Sequence, residues 1–339
     1  MVRTGLVGLG FMGQQHFAIH QAMDNVELLA VCDKLPERVA EQVEPVGGNI
    51  GEAQKLDLSG VNRYTSFDDL LQHDGIECVD ICTPTHLHAE MTVKALEAGK
   101  HVICEKPMAL NPAECQKMID AAKASGKLLF IAQCIRFWPE YELLANWVKS
   151  GHLGRIVSAK FTRLSPPPVW SEGKWLLNTA LSGGALLDLH IHDVDFIIDC
   201  FGMPPAVSSR AANRVTEGPR VDHTVTQYLY PDFVCVAEGG WGMPGTVPFE
   251  MGYQVLGEAG LLQFSLATDP MLQFFPAEGD VQYPQVPAET GYQREFVHFL
   301  ECLEKGVASE RVTPESAMNS VAVCMAETES ANTGKVVSL

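Results

Sequence analysis

Thr4-Gly5-Leu6-Val7-Gly8-Leu9-Gly10-Phe11-Met12-Gly13 runs from an apolar stretch straight into a Gly-x-Gly-x-x-Gly string. The residues from Thr4 to Gly8 predict a short strand, and those from Phe11 to Met23 a helix. In that setting the three glycines permit a tight turn, close approach of backbone to a pyrophosphate and close packing of helix on strand. The helix N-terminus adds N–H donors and the positive end of its dipole. Val26 to Cys32 predicts a second strand, closed by Asp33, an acid that can accept both ribose hydroxyls and repel a 2′-phosphate. The glycine string alone also fits a plain turn. Strand, glycines, helix, strand and acid in that order predict dinucleotide binding at Gly8, Gly10, Phe11, Met12, Gly13 and Asp33. Asp33 favours NAD, while Lys34 and Arg38 can offset repulsion of a 2′-phosphate and leave NADP open.

Outward from this unit, strand and helix keep alternating. Cys78 to Cys82, His101 to Cys104 and Leu128 to Ala132 are short apolar runs. Between them, Ser66-Phe67-Asp68-Asp69 and Asn111-Pro112-Ala113-Glu114 carry helix-start chemistry, and a helix from His88 to Ala98 stops at Gly99. Wholly apolar strands alternating with helices predict a parallel sheet covered on both faces. After about residue 130 the pattern changes. A helix over Pro139 to Lys149, a strand over Ile156 to Leu164 and a strongly apolar helix over Leu186 to Cys200 precede five or six strands between Pro205 and Phe275 that lack intervening helices. Two helices, Tyr292 to Lys305 and Pro314 to about Asn332, close the chain. The fold expected is α/β: a Rossmann domain over 1–130, then an α/β domain over 131–313 with a large open, mostly antiparallel sheet.

Of 339 residues, 46% are apolar and 19% charged, so the chain carries a sizeable core, and disorder, collagen and coiled coil are excluded. Net charge is −18 without a basic run, which argues against nucleic acid and anionic membrane as partners. The N-terminal residues match neither a signal nor a transit peptide, and no apolar run is long enough to span a bilayer. The ten cysteines form no Cys-x-x-Cys pair and several sit in strand-like runs. They are expected to be reduced, buried thiols in a cytoplasmic protein, with neither disulfides nor a metal.

Two short constellations carry chemistry. Glu105-Lys106-Pro107 directly follows a parallel strand, whose C-terminus faces the cofactor crevice. A lysine there can hydrogen-bond a substrate hydroxyl; an isolated strand-end lysine is the competing reading. The second is Gly183-Gly184-Ala185-Leu186-Leu187-Asp188-Leu189-His190-Ile191-His192-Asp193-Val194-Asp195. Asp188 and His192, four apart, share a helix face with Asp195 next along it. A histidine titrates where a proton acceptor should, and a carboxylate one turn away can orient it. A buried Asp–His staple is the alternative. His190 and His192 diverge by about 200° on a helix, too far for one metal ion. His16 and His20 are expected to pack or cap. Thr83, Pro84 and His88 end a strand facing the cofactor. Arg136 can bind substrate or form a packing salt bridge, and Trp175 can stack on a sugar or simply pack.

Taken together, GLGFMG at 8–13, the strand ended by Asp33, TPTHLH at 83–88, EKP at 105–107, QCIRFWPEY at 133–141 and GGALLDLHIHD at 183–193 resemble the glucose-fructose oxidoreductase / inositol dehydrogenase (Gfo/Idh/MocA) family over essentially the whole chain. The resemblance implies oxidation of a secondary alcohol on a sugar, polyol or cyclitol, or the reverse reduction. It also implies a cis proline at Pro107, a last helix returning to the nucleotide domain, and a homodimer or homotetramer formed through the open sheet. Lys106, Asp188 and His192 take the family's catalytic positions. Arg136, Trp175 and His192 are expected to meet substrate. The dinucleotide is expected to meet Gly8, Gly10, Phe11, Met12, Gly13, Asp33, Lys34, Arg38, Thr83, Pro84, His88, Glu105 and Lys106. A glycoside hydrolase or lyase using NAD transiently, a dihydrodiol dehydrogenase and a non-catalytic NAD-binding regulator stand as alternatives.

Overall fold

Runs with no polar face need cover on both sides, and they form the parallel sheet that the sequence predicts. The structure is a computed structural model that describes residues 1–49, 55–219 and 221–339. Strands β1 (Val2–Val7) and β2 (Val26–Cys32) are followed by a small antiparallel pair, β3 (Gln42–Val43) and β4 (Leu56–Asp57). Then come β5 (Asn62–Tyr64), β6 (Cys78–Ile81), β7 (His101–Glu105) and β8 (Leu129–Ala132). The six-stranded sheet has the order β5-β2-β1-β6-β7-β8 with every neighbouring pair parallel. β6 and β8 are buried along their whole length.

Helices α1 (Phe11–Ala22), α2 (Phe67–Leu71), α3 (His88–Glu97) and α4 (Pro112–Ser125) connect these strands. The two predicted caps are present. Ser66 Oγ accepts the Asp69 N–H at 3.4 Å, and Asn111 Oδ1 accepts the Glu114 N–H at 3.0 Å. The chain leaves β1 toward β2 on one side and returns to β6 on the other. The strand order therefore reverses beside β1, where an open α/β sheet forms its ligand crevice.

The later residues form α5 (Pro139–Lys149), β9 (Ile156–Leu164), α6 (Thr179–Ser182) and α7 (Ile191–Phe201). Six strands follow: β10 (Ala206–Ala212), β11 (His223–Tyr228), β12 (Val234–Gly240), β13 (Glu250–Gly257), β14 (Gly260–Ser265) and β15 (Leu272–Pro276). α8 (Gly291–Lys305), α9 (Pro314–Thr333) and β16 (Val337–Ser338) complete the chain. The eight-stranded sheet runs β15-β14-β13-β9-β12-β11-β10-β16, and only β9–β12 is a parallel pair. Alternation along β11 and β15 buries one face of this sheet and exposes the other.

The chain divides into two compact units: Met1–Gln133 with Pro168–Trp175 and Glu295–Met318, and Cys134–Pro167 with Leu176–Arg294 and Asn319–Leu339. Helix α9 is shared between them. All ten cysteines are free thiols, and only Cys82 and Cys200 are more than marginally exposed. Among the described residues no helix is long and apolar enough to cross a membrane.

One predicted element differs. The stretch from Leu186 is not continuous α-helix: it opens as a π turn over Leu186–His190 and becomes α7 at Ile191. Gly183 and Gly184, at φ 76° and 75°, bring the chain into that turn in a left-handed conformation open to glycine. Such widened turns recur at functional sites.

Candidate active site

In the first unit, the ends of parallel strands bring most of the predicted nucleotide residues to one edge. Gly8 follows β1, Asp33 follows β2, Thr83 lies two residues beyond β6, and Lys106 follows β7. The glycines fit a bound dinucleotide for three separate reasons. Gly8 sits at φ 89°, and a Cβ there would lie 2.5 Å from the Cys82 carbonyl oxygen. A Cβ on Gly13 would fall 1.7 Å from the Gly8 carbonyl oxygen, so this glycine lets α1 close on β1. A Cβ on Gly10 would meet nothing nearer than Arg38 Nη1 at 3.9 Å. Packing does not require that glycine; its bare backbone keeps the surface open to a phosphate. Asp33 is nearly buried and accepts the N–H of Leu9 at 2.8 Å and of Leu35 at 2.9 Å. Two carboxylate oxygens have further acceptor capacity for ribose hydroxyls. Lys34 is exposed and Met12 half-buried. Phe11 packs edge-on against Trp170, with centroids 5.5 Å apart.

Below the Lys106 end of β7 lies a buried polar chain. Asp80, the one acid inside β6, sits 3.0 Å from His16 Nδ1 and 3.0 Å from His20 Nε2. His16 Nε2 is 3.0 Å from Glu105 Oε1, and Glu105 Oε2 accepts the backbone N–H of Lys106 at 3.0 Å. Burial alone would lower the His16 pKa, but Asp80 and Cys82 beside it hold it well above its ordinary value. Burial likewise opposes ionisation of Asp80, yet His16 and His20 hold it well below the usual carboxylate range. Glu295 on α8 is buried beside them; burial, then the charge of Glu105, pushes its carboxyl well up.

His16, Asp80 and Cys82 also offer nitrogen, oxygen and sulfur within 4.8 Å of one another. The Nδ1–Oδ2 and Nδ1–Sγ separations are 3.0 and 3.1 Å. These are hydrogen-bond lengths, shorter than the edges of about 3.3–3.6 Å set by tetrahedral zinc bonds.

Three residues expected at the ligand surface are engaged by partners within the protein. His88 is 1% exposed, with its ring nitrogens 2.8 Å from the carbonyl oxygens of Pro107 and Thr83. It therefore clamps the Thr83 loop to the Lys106–Pro107 peptide, which is cis. Burial, outweighing those carbonyls, lowers its pKa. Glu105 is committed to His16 and Lys106 as described. Arg136 takes the packing salt bridge that the sequence left open. Its guanidinium is buried, 2.7 Å from both oxygens of Asp195 and 3.1 Å from Asp199. Thr83 Oγ1 reaches Met91 Sδ at 3.5 Å, Pro84 opens the short turn before α3, and Trp175 is half-buried.

In the second unit, the acids of α7 divide into two groups. Asp193 is buried against Arg163, at 2.9 and 3.0 Å, and Asp195 is held by Arg136 and by Ser320 Oγ at 2.8 Å. The expected stripe from Asp188 through His192 therefore does not extend to Asp195, whose side chain serves the core. His190 turns inward, 3.5 Å from Glu327 and 3.3 Å from Tyr228. Asp188 and His192 alone among these acids and imidazoles, from 188 to 195, remain half-buried.

The sequence reading missed that Asp80 joins His16 and His20 to the Glu105 end of β7, with Glu295 buried beside them. A signal for Asp80 existed: a lone acid in a strand buried on both faces requires a partner, and His16 and His20 share one face of α1.

The family model described as "Oxidoreductase family, NAD-binding Rossmann fold" matches residues 2–133, and the "GFO/IDH/MocA C-terminal domain" matches residues 141–263. The chain is 30% identical over 336 residues to the trans-1,2-dihydrobenzene-1,2-diol dehydrogenase of Macaca fuscata fuscata, covering 92% of this chain and 91% of that one. It is 30% identical over 252 residues to the levoglucosan dehydrogenase of Pseudarthrobacter phenanthrenivorans; that match covers 73% of this chain but spans only 61% of the relative. A solved structure of levoglucosan dehydrogenase with NADH and levoglucosan has the same fold, at TM-score 0.82 over 99% of each chain and 24% identity.

Proposed function

The chain belongs to the Gfo/Idh/MocA family of NAD-binding oxidoreductases, and on that premise we propose that it oxidises a secondary carbinol of a sugar, polyol or cyclitol, or reduces the corresponding ketone. The observation that carries this reading is the common edge of the parallel sheet. There the glycine turn, Asp33 and the Lys106 end of β7 follow strands that all point the same way. When bound, the nicotinamide accepts or returns the hydride.

The protein's own residues do the rest. Gly8, Gly10 and Gly13 admit the pyrophosphate, and Asp33 accepts the ribose hydroxyls. Lys106 donates a hydrogen bond to the reacting oxygen and stabilises charge that develops there. An imidazole nitrogen of His192 takes the hydroxyl proton, and Asp188 orients that ring or holds a neighbouring hydroxyl. The half-exposure of Asp188 and His192, beside acids already spent in salt bridges, supports giving them these roles.

The match to a dihydrodiol dehydrogenase over 92% of this chain favours a second substrate reading, an alicyclic trans-diol. Both readings share a secondary carbinol with a hydroxyl on the next carbon. The test is reduced-cofactor absorbance with NAD and a panel of inositols, aldoses, ketoses, levoglucosan and a trans-dihydrodiol. Net reduction with at least one carbinol is the expected result, and no reduction with any of them overturns the reading. We further propose that two copies pair through the second unit's sheet, whose outer face exposes Val225, Val234, Leu256 and Phe275.

A further inference from the structure

The guanidinium of Arg38 stands beside the dinucleotide turn but is not free to serve it. Its Nη1 is the protein atom nearest to a Cβ built on Gly10, at 3.9 Å, and lies 3.8 Å from Asp33 Oδ2. Its Nη2 donates to Glu172 Oε2 at 3.1 Å. Glu172 reaches this place although it lies far along the chain, because Pro168–Trp175 packs with the first unit. The segment is locally fixed. Trp170 sits against Phe11 and donates to Asn49 Oδ1 at 3.3 Å. Ser171 is buried and donates its hydroxyl to the Pro168 carbonyl at 2.9 Å. Gly173 and Lys174 both turn at φ 55°, with the Lys174 N–H on the Ser171 carbonyl at 2.7 Å. A non-glycine residue in that region persists where its surroundings fix it.

We propose that Glu172 selects the cofactor: by pairing with Arg38 it withholds a guanidinium beside Asp33 that would bind a 2′-phosphate, and so enforces NAD over NADP. The inference rests on the reading of Gly8–Gly13 and Asp33 as the dinucleotide site. A 2′-phosphate approaching Asp33 needs a cation to offset the carboxylate, and a guanidinium suits phosphate because it donates two parallel hydrogen bonds. With Glu172 attached, Arg38 contributes little net positive charge. Without it, Arg38 faces Asp33 and the incoming phosphate alone.

The test needs no substrate. Purified protein is titrated calorimetrically with NAD and with NADP, for the wild type, Glu172→Gln, Arg38→Ala and the double variant. The wild type is expected to bind NAD the more tightly. Glu172→Gln is expected to shift the ratio of the two dissociation constants toward NADP by about tenfold, the scale of one charge acting on a phosphate near a protein surface. In the double variant that gain disappears. The proposal is overturned by an unchanged ratio in Glu172→Gln, by a gain that survives loss of Arg38, or by a wild type that already prefers NADP. Binding of neither dinucleotide by a wild type that melts cooperatively would instead overturn the dinucleotide reading beneath it. All the substituted side chains have exposed or partly exposed positions, and a thermal melt of each variant checks that the fold is kept.

Discussion

On the proposed reading, Glu105 matters to the reaction without touching it. One carboxylate oxygen meets His16 and the other takes the Lys106 N–H, so the conformation at the end of β7 is set by a buried carboxylate and a buried imidazole. Glu105→Ala removes both bonds and leaves buried donors unpaired. It is expected to lower kcat by about 10- to 100-fold, the cost of displacing a reacting group by a fraction of an ångström, with little change in the Kd for NAD. Glu105→Gln keeps an oxygen for the Lys106 N–H and should recover most of the loss. Equal loss in both variants, or a matching loss of NAD affinity, would show that the carboxylate does not act by placing Lys106. In the catalytic roles proposed for them, Lys106→Ala and His192→Ala should each lower kcat by about 10²-fold or more while calorimetry still detects NAD. Near-normal turnover in both variants removes their assignment.

At the scale of elements, the contact of α1 with β1 depends on the absence of one side chain. A methyl on Gly13 would overlap the Gly8 carbonyl oxygen, so Gly13→Ala must push the helix N-terminus away from the turn. Overpacking of this kind costs roughly 1–3 kcal/mol. The N–H groups that would face a pyrophosphate move with the helix. Gly13→Ala is therefore expected to lower the melting temperature and weaken NAD binding at least tenfold. Native affinity in that variant would mean that the helix terminus is not the phosphate site.

The whole molecule has a pH dependence set largely by its buried cluster. His16 and Glu295 both titrate above their ordinary values of 6.5 and 4.5, because the folded chain holds protons that the unfolded chain releases. Each therefore stabilises fully below its ordinary pKa, and the contribution drains away as pH rises through the folded value. Asp80 behaves oppositely: its contribution is present above its ordinary 3.8 and is lost as pH falls through the depressed folded value. Stability is thus expected to be greatest under acidic conditions, above the depressed folded value of Asp80, and to decline as pH rises past the ordinary values of 4.5 and 6.5 toward the raised folded values of Glu295 and His16. Glu295 faces Glu105, His16 and Asp80, and Glu295→Gln keeps its shape while removing its proton. The decline in melting temperature should be shallower in that variant, and an unaltered slope would show that Glu295 is not held protonated.

The primary sequence determined the alternation of strand and helix, the caps at Ser66 and Asn111, and the glycine turn with its acid. Each depends on neighbours a few residues apart, where periodicity and backbone geometry act directly. The order of the two sheets followed the same patterns, since apolar runs and alternating runs demand different cover. Only the tertiary structure decided that Asp80 joins His16 to Glu105, that Arg136 is spent on Asp195, that the stretch before α7 winds as a π turn, and that Pro168–Trp175 packs with the first unit and puts Glu172 on Arg38. Apart from the π turn, those outcomes bring together residues tens to more than a hundred positions apart. Burial settles which charges must find partners, but no local pattern says which partner each one finds.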